Sequence, residues 1–258
     1  MRLRPLRLML QIWLPIAAFA IWWLLSAHSK SLFYPPLHEI VDSFKSTFLT
    51  ADGFRTEIWP SVSHLLIGYA IAVVVGIAIG VVLALHRWTH DLFDPLLQFL
   101  RALPAPALLP FAIVVIGIGA SMKIAIIAFG AFFPVLLNTL DGVRGIDPTA
   151  VETCDVYRMS WWLRLRAVIV PGALPRIFTG MRVALQVGLL LMVVSEMVAS
   201  TGGIGYVILQ SQQEFTTPKM WAGILFLGVL GFVLSMLFDA LERWSLRWYF
   251  AIREESTT

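Results

Sequence analysis

Charge is what this 258-residue sequence has least of: 14% of its residues are Asp, Glu, Lys or Arg, against about 25% in an average soluble domain. So little charge could not cover the surface of a water-soluble particle. Cysteine is nearly absent too. Cys154 stands alone, which excludes an internal disulfide framework and any multi-cysteine metal site. No G-x4-G-K-[ST] stretch occurs, so this chain has no phosphate loop with which to hydrolyse a nucleotide. His28, His38, His64, His86 and His90 form no metal-ligand pattern. The last two are four apart, but they flank a loop start and read as interfacial; no metal site is expected. There is no Gly- and Ser-rich linker, repeat or low-complexity segment, so a single domain over 1–258 is expected, with its core at 60–248. The net charge of +3 is small and scattered, which excludes a nucleic-acid binder.

What is abundant is apolar residues, at 59%, parcelled into runs of bilayer length. A span needs roughly 20 such residues, at about 1.5 Å each against a hydrocarbon core of roughly 30 Å. Leu8 to Ala27, Leu65 to Leu85 and Ala222 to Phe238 are free of charge. Ile124 to Leu140 is another such run, with Pro134 expected to bend it. Ala102 to Ile118 carries Pro104, Pro106 and Pro110, so its first half should be irregular. Ile177 to Ala199 contains Arg182 and Glu196. Backbone groups freed by these prolines need partners, which turns the distorted spans toward the bundle interior.

Six spans with both termini cytoplasmic put fourteen of the nineteen basic residues inside, leaving Lys30, Lys45, Arg55, Lys123 and Lys219 outside. Basic residues gather on the cytoplasmic side, and an odd number of crossings would spoil the partition. The fold class is therefore an all-α membrane protein of six transmembrane helices. The first run follows Arg2, Arg4 and Arg7 like a signal peptide, but it is longer than a typical h-region, so a span is expected. Trp59, Trp88, Trp221 and Trp244 lie near span ends, where interfacial aromatics belong.

Three features inside or outside the spans stand out. Ala72, Gly76, Gly80 and Ala84 form a small-residue stripe for close helix packing, within the chain or between subunits. Glu196 is an acid inside a span, and such groups are functional candidates. It either accepts backbone hydrogen bonds from the Gly202, Gly203 and Gly205 turn or contacts a solute or gate; Gln210, Gln212 and Gln213 follow that turn. In the loop from Lys30 to Pro60, Phe33, Ile40, Val41, Phe44 and Phe48 suggest a short amphipathic helix lying on the membrane or receiving a partner.

The segment 141–174 is too polar to insert, yet rich in helix signals. Asp147 before Pro148 matches an N-cap with proline in the first turn, and Thr149 with Glu152 offers an overlapping capping box. A second start is readable at Ser160. Two short helices with a turn at Arg158 to Ser160 are expected on the cytoplasmic face, with Pro171 and Pro175 punctuating the way back to the membrane.

These residues carry a resemblance. Permeases of ATP-binding-cassette (ABC) importers show E-A-A-x3-G-x9-I-x-L-P ahead of their penultimate span. This sequence reads Glu152, Thr153, Cys154, then Arg158 at the glycine position, Val168, Val170 and Pro171. Pro171-Gly172-Ala173-Leu174-Pro175, Gly180-Met181-Arg182, Arg101-Ala102-Leu103-Pro104 with Pro110, and Ser195-Glu196 ahead of Gly202-Gly203-Ile204-Gly205-Tyr206 resemble the nitrate, taurine and sulfonate branch of that family. The resemblance covers most of Leu65 to Arg247. Thr153, Cys154 and Arg158 depart from the pattern, and arginine adopts the φ > 0 of a glycine turn only with strain.

The resemblance implies a type I importer permease of the bacterial inner membrane, not an enzyme, in which alternating access is driven by a separate ATPase. It implies a second permease subunit, by default an identical one, two ABC ATPase subunits and an extracytoplasmic solute-binding protein as partners beside the lipid bilayer. No cofactor is expected on this chain; ATP and Mg would sit on the ATPase. The 141–174 segment would be the coupling element, with Trp161, Trp162 and Leu165 as apolar contacts and Glu152 and Arg158 fixing orientation. Against this, the tryptophans could simply anchor in lipid headgroups. The solute would be small and anionic. An ion-gradient-driven secondary transporter is the alternative; such proteins show inverted repeats and paired intramembrane charges. No internal symmetry is readable here. A membrane enzyme would need a cluster of His, Asp or Cys that the sequence lacks.

Overall fold

A computed structural model describes residues 13, 17, 19–27, 29 and 31–249, and these are helical with short connections. Residues 8–12, 14–16 and 18 of the first apolar run, and Arg2, Arg4, Arg7 and Lys30, lie outside the described residues; within that run a helix covers residues 19–26.

Helix α1 is Leu37–Phe48. Its apolar face does not lie free for lipid. Ile40 and Phe48 are buried, and the Phe48 ring stacks on Phe226 with centroids 4.5 Å apart. Helix α2 runs over Ala51–Leu85. It begins under a cap from Thr50, whose side chain accepts from Gly53 N, so the chain turns helical well before Pro60.

The third predicted span, Ala102 to Ile118, forms the second arm of a bent pair. Helix α3, Arg87–Ala102, and helix α4, Leu109–Ile116, are joined through a tight 3₁₀ turn at Ala105–Leu108. The two arms, Asp91–Ala102 and Ala105–Ile116, meet at 84°. Pro104 has no N–H to continue the first helix, and it disfavours helical backbone at Leu103, which is extended.

Helix α5, Ala120–Arg144, is unbroken despite Pro134. It is the central element, packed against α2 on one side and helix α7, Trp161–Val198, on the other. Its buried residues, from Met122 to Val143, fall all around it, as a helix enclosed by others requires. After helix α6, Pro148–Val156, comes α7, Trp161–Val198. The second element of the 141–174 segment is therefore not a short separate helix. It runs without interruption into the span, through Pro171 and Pro175.

Helix α8, Ile204–Gln213, and helix α9, Thr217–Ser245, follow. Among the described residues four helices (α2, α5, α7 and α9) are long and apolar enough to cross a membrane, or five if the bent pair makes one crossing. The main core gathers Leu65, Leu109, Met122, Ile126, Ile127, Leu191, Met192, Ile204 and Val207, where α2, α4, α5, α7 and α8 meet.

In lipid, helices gain little from hiding apolar surface from one another, so close backbone approach matters more. The stripe on α2 meets that need. Ala72, Gly76 and Gly80 are buried and Ala84 half-buried. Around them, a Cβ on Gly76 would fall 2.9 Å from Val135 Cβ, and one on Gly80 2.8 Å from Thr139 Cβ. The stripe thus faces α5 of the same chain.

Candidate functional site

Two regions near opposite ends of α7 carry the singled-out residues. The first surrounds the start of α8. Three consecutive amides there, of Gly203, Ile204 and Gly205, have no intrahelical partner, as at any helix start. Each finds a side chain from elsewhere. Gly203 N donates to Glu57 Oε2 at 2.8 Å, Ile204 N to Ser61 Oγ at 3.0 Å, and Gly205 N to Glu196 Oε2 at 3.0 Å. Ser61 Oγ in turn donates to Glu57 O at 2.8 Å. Two carboxylates converge because the positive end of a helix attracts negative charge.

Glu196 is 1% exposed, and its other oxygen, Oε1, has no hydrogen-bond partner. It lies against Gly203, where a Cβ would come within 2.6 Å of Glu196 Cδ. With φ at 107°, Gly203 occupies backbone space that side chains rarely share. Beside it, the buried Lys123 donates from Nζ to Ser200 Oγ at 2.7 Å, and Ser200 Oγ donates to Gly202 O. The loop between α7 and α8 is thereby tied to α2 and α5.

Of these residues the sequence singled out Glu196, Gly202, Gly203 and Gly205, and the structure brings them together. Glu57, Ser61 and Ser200 were missed, and Lys123 was counted only as a basic residue of the outer side. The spacing of Glu57 and Ser61, four apart around Pro60 at a span start, is the signal that could have marked them.

The second region is the turn between α6 and α7. Asp147 Oδ1 accepts from Thr149 N at 2.9 Å and caps α6, while Pro148 opens its first turn. The helix closes with Met159 N donating to Cys154 O at 2.9 Å and Arg158 N to Asp155 O at 3.0 Å. This is a Schellman end, with its left-handed position usually given to glycine. Here that position is Arg158, at φ 46°.

Asp155 Oδ1 then meets Arg164 Nη1 at 2.8 Å, bracing α6 against the first turn of α7. Trp161 and Trp162 are 55% and 68% exposed, beside exposed Val156 and Tyr157. Glu152 is also exposed. Leu165 points the other way and packs against the cluster of Val143, Ile169, Ala173 and Ile177.

The length of α7 links this turn to the spans. Its 38 residues extend for about 57 Å, well beyond a hydrocarbon core of roughly 30 Å. The helix α7 is therefore longer than one crossing needs, and the α6 turn is joined to its N-terminal end.

A helical membrane protein with a capped turn joined to an overlong helix is the class these features define. The chain belongs to the family described as binding-protein-dependent transport system inner membrane component, which it matches over residues 72–247. It is 34% identical over 238 residues to SsuC of Bacillus subtilis, a permease protein named for aliphatic sulfonates transport; the match covers 91% of this chain and 86% of SsuC. It is 29% identical to the taurine transport system permease protein TauC of Escherichia coli, over 93% of this chain and 90% of TauC. The bicarbonate transport system permease protein CmpB of Synechococcus elongatus is 34% identical, over 72% of this chain and 68% of CmpB. In fold, a chain of the inward-facing MetNI methionine ABC transporter matches with a TM-score of 0.63 at 20% identity, covering 72% of this chain and 93% of that one.

Proposed function

We propose that this chain forms half of the translocation pathway of an ATP-driven importer for a small anionic solute in a bacterial inner membrane. In this reading a separate ATPase subunit binds and hydrolyses ATP with Mg, and this chain binds neither. Two copies pair, two ATPase subunits dock on the cytoplasmic face, and a solute-binding protein delivers cargo from outside. Six spans with cytoplasmic termini follow from the distribution of arginine and lysine.

One observation carries the reading: the exposed Trp161 and Trp162 stand on the same uninterrupted helix as Glu196. A docking motion at the tryptophans is transmitted along a stiff rod to the loop that Glu196 caps. Trp161 and Trp162 in the rod's first turn, with Val156 and Tyr157 at the end of α6, form the apolar contact; Leu165 fastens the rod inward; Glu152 and Arg158 set orientation. Glu196 has a structural role, as a carboxylate in the path would repel an anion.

Anionic cargo rests on kinship with permeases named for sulfonates, taurine and bicarbonate. The test is purification of the chain with the products of its neighbouring genes. A Walker-motif ATPase should co-purify, and uptake of a sulfonate or bicarbonate should stop when that ATPase is inactivated. Uptake that persists on an ion gradient, with no such partner, refutes the reading in favour of a secondary transporter.

A further inference from the structure

Two prolines in long helices sit at the same offset from an irregularity. In α2, Trp59 N donates to Phe54 O across a widened turn at Phe54–Ile58, and Pro60 follows. In α7, Val170 N donates to Leu165 O across a widened turn at Leu165–Ile169, and Pro171 follows. Such a turn spans five residues instead of four, so it holds one residue more than the regular helix. Its location suits proline, whose ring would strike the carbonyl four residues back: Thr56 for Pro60, Ala167 for Pro171. Pro134 and Pro175 show that proline alone does not demand this. Something else selects the widened turn in α7.

The packing supplies the reason. Leu165, Ile169, Ala173 and Ile177 all enter one cluster with Val143. They are spaced by four, and each step of four overshoots a full turn by about 40° on a regular helix. From Leu165 to Ile177 the drift would be about 120°, enough to take Leu165 off the shared face. Absorbing one residue in the widened turn cuts the drift to about 20°. The apolar stripe stays straight, and the turn before it is held at one angle.

That angle matters because of what is fastened to it. Trp161 and Trp162 occupy the turn immediately ahead of Leu165. The Asp155–Arg164 ion pair locks α6 to the same turn, and Gly172 allows the approach to Ile146, whose Cγ1 would lie 3.2 Å from a Cβ there. The end of α6 is therefore braced to the turn that carries Trp161 and Trp162, just ahead of the widened turn.

We propose that the widened turn at Leu165–Ile169 is a positioning element: it absorbs one residue of register and so fixes the rotational angle at which Trp161 and Trp162 face the partner ATPase. This rests on the coupling role proposed above. Closing the turn without removing a residue rotates the tryptophans by about 100° and shifts them by about 1.5 Å. Removing one residue as it closes leaves their direction unchanged.

The experiment uses the full chain purified with the Walker-motif ATPase that accompanies it, in lipid nanodiscs. Deletion of Ala167 is combined with Pro171→Ala, so that the ring no longer opposes a regular turn. This variant should keep ATP hydrolysis within about twofold of the parent, as its contacts keep their direction. Insertion of one alanine between Ala167 and Val168 should lower hydrolysis about tenfold or more, since misplacement of about an ångström is that costly in a geometric device. Spin labels at positions 162 and 144 give a second readout: their distance distribution should match the parent in the deletion variant and move in the insertion variant.

Equal loss of hydrolysis in both variants, with both still bound to the ATPase, would overturn the inference; so would an unmoved distance in the insertion variant. Trp161→Ala with Trp162→Ala separates the two layers. If that pair changes nothing, the coupling role falls and the inference with it. If that pair abolishes hydrolysis while the insertion does not, the positioning role alone is wrong.

Discussion

Glu57 Oε2 accepts the amide of Gly203 at 2.8 Å, joining residues 146 positions apart in the chain. With Ser61 and Glu196 it makes a three-part cap on α8 whose members come from α2 and α7. Glu196 is the more buried of the two carboxylates, so its removal should be felt most. Glu196→Ala leaves the Gly205 amide unpaired inside the protein and opens space, at a cost of about 2–4 kcal/mol. Glu196→Gln keeps an acceptor at the same place and should lose much less. Unfolding midpoints of the detergent-solubilised protein test this order. Equal stability in all three proteins, with uptake lost, would make Glu196 a solute or gate contact instead.

Two glycines with positive φ separate strain from crowding. Gly117 has φ 90° and nothing within 4 Å of the place a methyl group would take, while Gly203 has φ 107° and the Glu196 carboxylate at 2.6 Å. Gly117→Ala should cost only the backbone term, about 1 kcal/mol. Gly203→Ala adds a collision with a buried carboxylate and should cost about 2 kcal/mol more. The measurement is the difference in unfolding midpoint between the two variants. If they are equal, the carboxylate moves aside freely and the cap is looser than its geometry suggests.

The contrast between local and distant contacts decides what could be read from sequence. Asp147 caps an amide two residues away, so the start of α6 was legible. Charge-free runs marked α2, α5 and α9 because bilayer thickness alone dictates their length. The Glu57, Ser61 and Lys123 contacts reach across 77 to 146 positions, and no local pattern encodes them. Pro171 and Pro175 misled for a different reason. They read as helix ends, but a widened turn removes the clash at Pro171, and packing keeps α7 whole. In α1 the amphipathic pattern was right and its partner was not, because periodicity shows which face is apolar but not whether lipid or α9 covers it.

Arg158 occupies a left-handed position at φ 46° where glycine ordinarily closes a Schellman end. Its side chain is exposed and reaches no partner needed to hold the turn. Arg158→Gly should therefore stabilise the turn by about 1 kcal/mol by relieving the Cβ clash of that conformation. Part of the gain is returned as the freer unfolded chain. The expected outcome is an unchanged or slightly higher unfolding midpoint with ATPase binding weakened, because the guanidinium proposed to set orientation is gone. Full ATPase binding with the midpoint unchanged would show that the guanidinium does not contact the partner.

Arg182 joins α7 to α9 with its Nη2 2.7 Å from Asp239 Oδ1 and bonded also to Glu242, its guanidinium lying 5.7 Å from the centre of the Phe238 ring. Few α9 residues are buried, so this link and the contacts with α1 and α8 hold the helix in place. Arg182→Met would leave two carboxylates facing each other one turn apart on α9, where like charges repel. Breaking an ion cluster by removing one member is costlier than replacing all of it, because the survivors keep their desolvation without their partner. Arg182→Met alone should therefore lower stability by about 1–2 kcal/mol. The triple variant with Asp239→Asn and Glu242→Gln should recover most of that loss. A triple variant no more stable than the single one would mean that the guanidinium acts through its packing on Phe238.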